Sequence, residues 1–190
     1  MYAHPVAESY CAALRDRVVQ ALASARHEVD VLDLYTDGFE AALSRQERLD
    51  YHDERLNTHG IERHVDLVRK CEVLVFVYPT WWYGLPAIMK GWLDRVWVPG
   101  VAFTLPQRDA PIRGLLPNIV RIVGVTTSGS PHWWLVLMGN PGRRTITRGV
   151  RALCHHSCRT RWLQHYNIDR STDSSRAAFL ERVSRELARL

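Results

Sequence analysis

Cysteine is scarce in this chain, and long apolar runs are missing from it. The four cysteines, Cys11, Cys71, Cys154 and Cys158, are too few and too scattered for the disulfide framework of a small secreted domain. A reduced, cytoplasmic protein is expected. No apolar run approaches the roughly 18 residues of a membrane-crossing helix, so contact with a membrane is expected to be peripheral at most. The opening Met1-Tyr2-Ala3-His4-Pro5 has neither the basic region nor the apolar core of a secretion signal. Lysine is nearly absent as well: 23 of the 25 basic residues are arginine. Repeats, linkers and low-complexity tracts are lacking, which points to one domain over residues 1–190.

The residues present are those of a globular protein, with 46% apolar content and a net charge of +5. Much of the positive charge lies in residues 143–161, which hold six arginines and no acid. Such a run suits phosphate groups, an anionic surface or simply solvent. Nothing joins it to a nucleic-acid-binding module, and no nucleic-acid partner is expected.

Periodicity gives an alternation of helices and strands. Cys11, Leu14, Val18 and Leu22 recur at helical spacing over 9–25. Strands are predicted over 28–34, 73–78, 119–125 and 160–166, and helices over 61–71, after Pro86, over 145–154 and over 174–189. Ser44 and Glu47 fit a capping box, and residues 98–117 read as irregular. The pattern predicts an α/β fold: an open parallel sheet with helices on both faces. That alternation wants a strand before the first helix, yet only Met1, Tyr2 and Ala3 precede His4-Pro5. The expectation is a first strand cut to a stub, with the native start upstream of Met1.

In such sheets, ligands bind where loops leave the carboxyl ends of strands. Three loops qualify. His4 and Ser9 open the first helix, where free N–H groups and the helix dipole suit phosphate. Pro79, Thr80, Trp81, Trp82 and Tyr83 follow the second predicted strand and precede Gly84 and Pro86. Aromatics in that place suggest a flat ligand, with a flavin ring as the leading candidate. Thr127, Ser128 and Gly129 lie in a small, hydroxyl-rich loop after the third, allowing close backbone approach. His132, just beyond, is a candidate proton donor. The run Cys154-His155-His156-Ser157-Cys158 lacks the spacing to wrap a tetrahedral ion, and no metal site is expected.

Taken together, Tyr2 to Pro5 with Ser9-Tyr10, Asp33-Leu34-Tyr35 with Gly38-Phe39, Leu43-Ser44 with Glu47-Arg48, the stretch from Pro79 to Val96, and Thr126 to Gly129 resemble the flavodoxin-like NAD(P)H:quinone oxidoreductases. That family includes modulator-of-drug-activity proteins and ancillary subunits of potassium-efflux systems. The resemblance implies a flavodoxin-like fold, bound FAD or FMN, a homodimer, and ping-pong hydride transfer from NAD(P)H to quinone-like acceptors. It implies phosphate-side contacts from His4, Ser9 and Tyr10, and ring contacts from Pro79, Thr80, Trp81, Trp82, Tyr83, Thr127, Ser128 and Gly129. Cys11 replaces a common Asn, and Ser128 replaces a Gly. Trp134 and Asn140 stand where animal members keep a Tyr–His relay, so the resemblance assigns no acid–base residue. Two other readings remain open: an ancillary regulatory subunit of a membrane potassium-efflux transporter, and a flavodoxin-type electron carrier.

Overall fold

The computed structural model describes residues 1–106 and 111–190. Three strands, β1 (Val73–Pro79), β2 (Arg121–Thr127) and β3 (Arg159–His165), form a parallel sheet in that order. Tyr2 makes one parallel bridge to Val77 of β1 and another to Asp33. It therefore lies between them, as a single rung of parallel pairing. The strand expected over 28–34 does not form; only Asp33 is bridged. A strand needs a neighbour along its length, and this segment meets Tyr2 at one rung only.

Side-chain alternation sends the two faces of the sheet into two apolar clusters. Val75 and Val77 face α1 (Tyr10–Ser24) and α7 (Asp173–Leu187), packing with Leu14, Val18 and Val183. Leu74, Phe76 and Tyr78 face α3 (Glu62–Lys70) and α4 (Ala87–Val96), packing with Val65, Val68 and Trp92. With helices on both sides, β1 and β2 are almost wholly buried, which is why they read as continuous apolar runs. Ser9 caps α1, and the Ser44–Glu47 capping box opens α2 (Arg45–Asp50). On the outer side of α4, Lys90 pairs with Asp94.

Several boundaries differ from the sequence reading. β2 starts two residues late and runs to Thr127. The helix expected over 145–154 is a π-helical turn, Thr145–Val150, followed by a short 3-10 turn, Arg151–Leu153. Thr145 and Thr147 donate their hydroxyls to Pro141 O and Arg143 O, four residues back, and so compete with the regular backbone ladder. Two short helices not anticipated, α5 (His132–Leu137) and α6 (Pro141–Arg144), follow β2. Residues 98–117 are irregular in their described parts, and positions 107–110 lie outside the described residues.

Gly91 of α4 sits so close to the loop before α2 that an added Cβ would overlap the Ala41 backbone. Gly91→Ala is expected to cost about 2 kcal/mol through overpacking. Thermal unfolding should show this as a midpoint lowered by about 4–8 °C.

Buried Trp92 donates its Nε1 to His64 Nδ1 at 3.3 Å, a bond that needs the neutral imidazole. Burial holds the His64 pKa below its ordinary value, against the opposing pull of Asp37, while Arg63 and Arg95 lower it further. The unfolded chain therefore takes up this proton first as pH falls. The stabilisation is complete above the unfolded pKa and fades as pH drops through the folded one. His64→Gln, which keeps an acceptor but does not titrate, should flatten the loss of stability between about pH 7 and pH 5. Urea midpoints measured across that range check it.

Candidate functional site

Pro79, Thr127 and His165 occupy one rung of the sheet, so the three strands end level with one another. Hydroxyls tie their ends together. Thr80 Oγ1 and Thr126 Oγ1 are 2.9 Å apart, and Gln164 Nε2 donates to Thr80 Oγ1 at 3.3 Å. Gln164 is itself oriented by Trp162, whose Nε1 donates to its Oε1 at 3.1 Å. Thr80 N–H donates to Thr127 O at 2.8 Å, joining the second and third candidate loops directly. The first loop reaches the second through side chains: the His4 ring lies 6.0 Å from the ring of Trp81.

The aromatic loop is a tight turn. Gly84 N–H donates to Trp81 O at 2.9 Å, and the central residues have left-handed backbones, Trp82 at φ +46° and Tyr83 at φ +62°. Two adjacent positive φ values mark a type I′ turn, which ordinarily takes Asn or Gly. Placing two bulky aromatics there is strained, and such strain gathers at binding sites. Trp82 is also 94% exposed, so burial does not offset it. Tyr83 points back, with its hydroxyl accepting from Trp134 Nε1 at 3.1 Å and its carbonyl accepting from Gly142 N–H at 3.3 Å.

The third loop is pinned at its base. Ser128 N–H donates to His165 O at 2.9 Å, Ile168 N–H donates to Ser128 O at 3.0 Å, and Ser128 Oγ donates to Ser130 O at 2.9 Å. Gly129 faces the exposed Asp169 carboxylate, whose tip an added Cβ would push aside. Among the described residues, the N–H groups of Trp82, Tyr83, Gly129 and Ser130 have no protein acceptor. The rim thus presents four unspent donors beside an aromatic wall. At the start of α1, Ser9 Oγ accepts from Ala12 N–H at 3.1 Å, and the N–H groups of Tyr10 and Cys11 have no preceding turn to bond.

Not every candidate side chain points to this rim. The Tyr10 hydroxyl donates to Arg176 O at 3.0 Å, and burial pushes its pKa up to about 12. Its ring lies edge-on to His165 and under the Arg176 guanidinium, so the side chain locks α1 to α7. His132, the first residue of α5, is exposed, with its ring 5.0 Å from that of Tyr166. The arginine-rich run does not form one free patch. Arg151 donates to Cys158 O, Arg161 pairs with Glu186, and Arg143 lies 5.9 Å from the Trp162 ring centroid. In the Cys-His cluster, His155 Nδ1 lies 2.8 Å from Ser157 Oγ and Cys154 Sγ donates to Val150 O. Sequence reasoning missed Gln164, His165, Tyr166, Asp169 and Arg176. The signal was available, because the loop after β3 leaves the same edge as the other three.

A family model described as a flavodoxin-like fold matches residues 1–190. The chain belongs to this family. Among its flavodoxin-like relatives is a human ribosyldihydronicotinamide dehydrogenase [quinone], 31% identical over 151 residues, an alignment covering 70% of this chain and 64% of that enzyme. The chain thus spans less than two thirds of the length of that relative. A solved protein from Streptococcus mutans, Smu.1420, superposes with a TM-score of 0.85 at 26% identity, covering 100% of this chain and 97% of the other. An NAD(P)H:quinone oxidoreductase from Methanothermobacter marburgensis gives 0.77 at 26% identity, covering 98% and 92%. Among the described residues, no helix is long and apolar enough to cross a membrane.

If the turn is strained as its backbone indicates, glycine relieves it. Trp82→Gly should stabilise the ligand-free protein by about 1 kcal/mol, a rise of about 2–4 °C in the thermal midpoint. Calorimetry on the two proteins checks it.

Proposed function

We propose that this flavodoxin-like chain, as one domain in a cytoplasmic homodimer, binds a flavin at the rim and transfers hydride from NAD(P)H to quinone-like acceptors. The observation that supports the reading is the level ending of β1, β2 and β3, with the loop after Thr127 bonded to Thr80 and unspent N–H groups beside a strained aromatic turn. The residues suit the group. The ring of FAD or FMN needs a flat wall and donors for its polar edge, which Trp81, Trp82 and Tyr83 offer together with Thr127, Ser128 and Gly129. Having no Cβ, Gly129 lets a ligand approach that backbone closely. The opening turn of α1, with His4 and Ser9, suits the phosphate that both flavins carry.

When bound, the flavin supplies two-electron chemistry, taking up and giving back hydride. The chain positions and polarises. N–H groups of Gly129 and Ser130 stabilise negative charge at the rim, as an oxyanion hole does. Arg143, close enough to Tyr166 to lower its pKa against the dominant effect of burial, brings positive charge suited to the phosphates of NAD(P)H. His132, exposed beside Tyr166, is the candidate proton donor for a reduced acceptor oxygen. Trp82, Trp133 and Leu137 are exposed apolar side chains near the rim, and such a patch supports pairing with a second copy.

Purified protein should bind FAD or FMN, identified after heat release by chromatography. Anaerobic NADPH should bleach the bound flavin in one two-electron step, and a quinone should restore it. A protein that takes up neither flavin overturns the proposal. One that binds flavin but is reduced only by single-electron donors favours an electron carrier instead. His132→Gln should lower turnover with quinone by roughly tenfold or more, leaving flavin binding intact.

A further inference from the structure

A pocket of about 300 Å³ lies at the amino ends of β2 and β3, at the opposite end of the sheet from the rim. Arg121 and Arg159 open these two strands and stand opposite each other on one rung. Residues on one rung point to the same face, and so do alternate residues of one strand. Arg121, Arg159 and Arg161 therefore share the face of Val123 and Leu163, against which α7 packs. The last turn of α7 closes over that face: Leu187 is buried there, and Glu186 and Arg189 line the pocket. Four guanidinium groups, from two strands and one helix end, thus meet around one space.

Among the described residues, Arg161 alone of these four has an acidic partner, Glu186. Arg121, Arg159 and Arg189 pair with no carboxylate, that of Leu190 beside the pocket included. Adjacent strands stand about 4.8 Å apart, so the ladder holds Arg121 and Arg159 side by side and backbone movement does not relieve their repulsion. The open edge of the sheet adds a donor. Arg159 N–H turns inward to Val120 O at 3.1 Å. Successive residues of a parallel strand turn their N–H groups to opposite sides. Thr160 N–H therefore faces out from the edge, and Thr160 lines the same pocket.

Guanidinium groups are planar forks that match pairs of phosphate oxygens, and they stay charged at any physiological pH. One carboxylate answers one fork. Here three forks without counter-ions approach from three elements, and a pair of phosphate groups carries the oxygens and the charge to answer them all. We propose that this pocket binds a compact polyanion with two phosphate groups, free or as a lipid headgroup, held by Arg121, Arg159 and Arg189. Glu186 keeps Arg161 for itself and so limits the affinity. The length of β2, seven residues at about 3.3 Å each, sets the pocket about 20 Å from the rim. It is therefore separate from the opening turn of α1, and it rests on no feature of the flavin reading.

The test uses the purified full chain at low ionic strength. Pyrophosphate is titrated by calorimetry, and flotation is measured with phosphatidylcholine vesicles with and without cardiolipin, whose headgroup carries two phosphates. Saturable binding of either probe is expected. Arg159→Gln should weaken it by about tenfold, and Glu186→Gln, which releases Arg161, should tighten it several-fold. Arg148→Gln removes an exposed positive charge outside the pocket and should leave binding within about twofold of the parent. Pyrophosphate binding with this pattern identifies a free anion as the ligand. Cardiolipin binding with the same pattern, and no response to pyrophosphate, identifies a membrane headgroup. Failure to bind either probe overturns the assignment. Equal weakening by Arg159→Gln and Arg148→Gln overturns it too, as general attraction to a basic protein, and so does unchanged affinity in Glu186→Gln.

Discussion

Three strands ending level on the rung of Pro79, Thr127 and His165 determine where everything at the rim can be. A parallel ladder fixes each strand against the next, and the Thr80–Thr126–Gln164 hydroxyl network holds the ends at that height. Each loop then starts from the same plane. The aromatic turn leaves β1 already bonded to Thr127, and the Ser128 loop leaves β2 already bonded to the residues after β3. Local stability in the strands thus supports a turn at Trp82 and Tyr83 that would not persist by itself. Strain in the loop and order in the sheet are two sides of one arrangement.

The same logic explains the weak side of the molecule. Sheet order depends on neighbours, and the segment before Asp33 lacks one along most of its length. Its residues have the apolar content of a strand, yet only Asp33 pairs. The helices do not compensate, because α1 and α3 pack on the faces of the sheet and cannot supply hydrogen bonds in its plane. Backbone pairing and apolar burial are separate requirements, and most of this segment meets neither: Leu32 is buried, but Val31 is exposed and Val29 only partly covered.

Much of this was legible in the residues. The apolar run at 73–78, the Ser9 and Ser44 caps and the three carboxyl-end loops all follow from short-range rules of periodicity, capping and turn chemistry. The convergence of His4 on Trp81 was also anticipated, as proximity of loops though not as a ring contact. Other features depend on contacts distant in sequence. The Tyr10 side chain reads as part of a phosphate loop, but α7 claims its hydroxyl from 166 residues away. The positive φ values of Trp82 and Tyr83 violate local preference, so no local rule reveals them. The π-helical turn depends on which hydroxyls bond backward, and the arginine run looked like a patch until Glu186 and the Cys158 carbonyl took up two of its members.

β3 closes the sheet on its outer side among the described residues, and its first half carries exposed Arg159, Thr160 and Arg161. An open strand edge is a template on which another molecule's strand can add, and repeated addition builds aggregates. Arg161 is neutralised by Glu186, so the charge that an approaching copy meets at this strand is mainly that of Arg159. Arginine at the start of this strand therefore has a colloidal consequence apart from any ligand: it disfavours the joining of copies sheet to sheet.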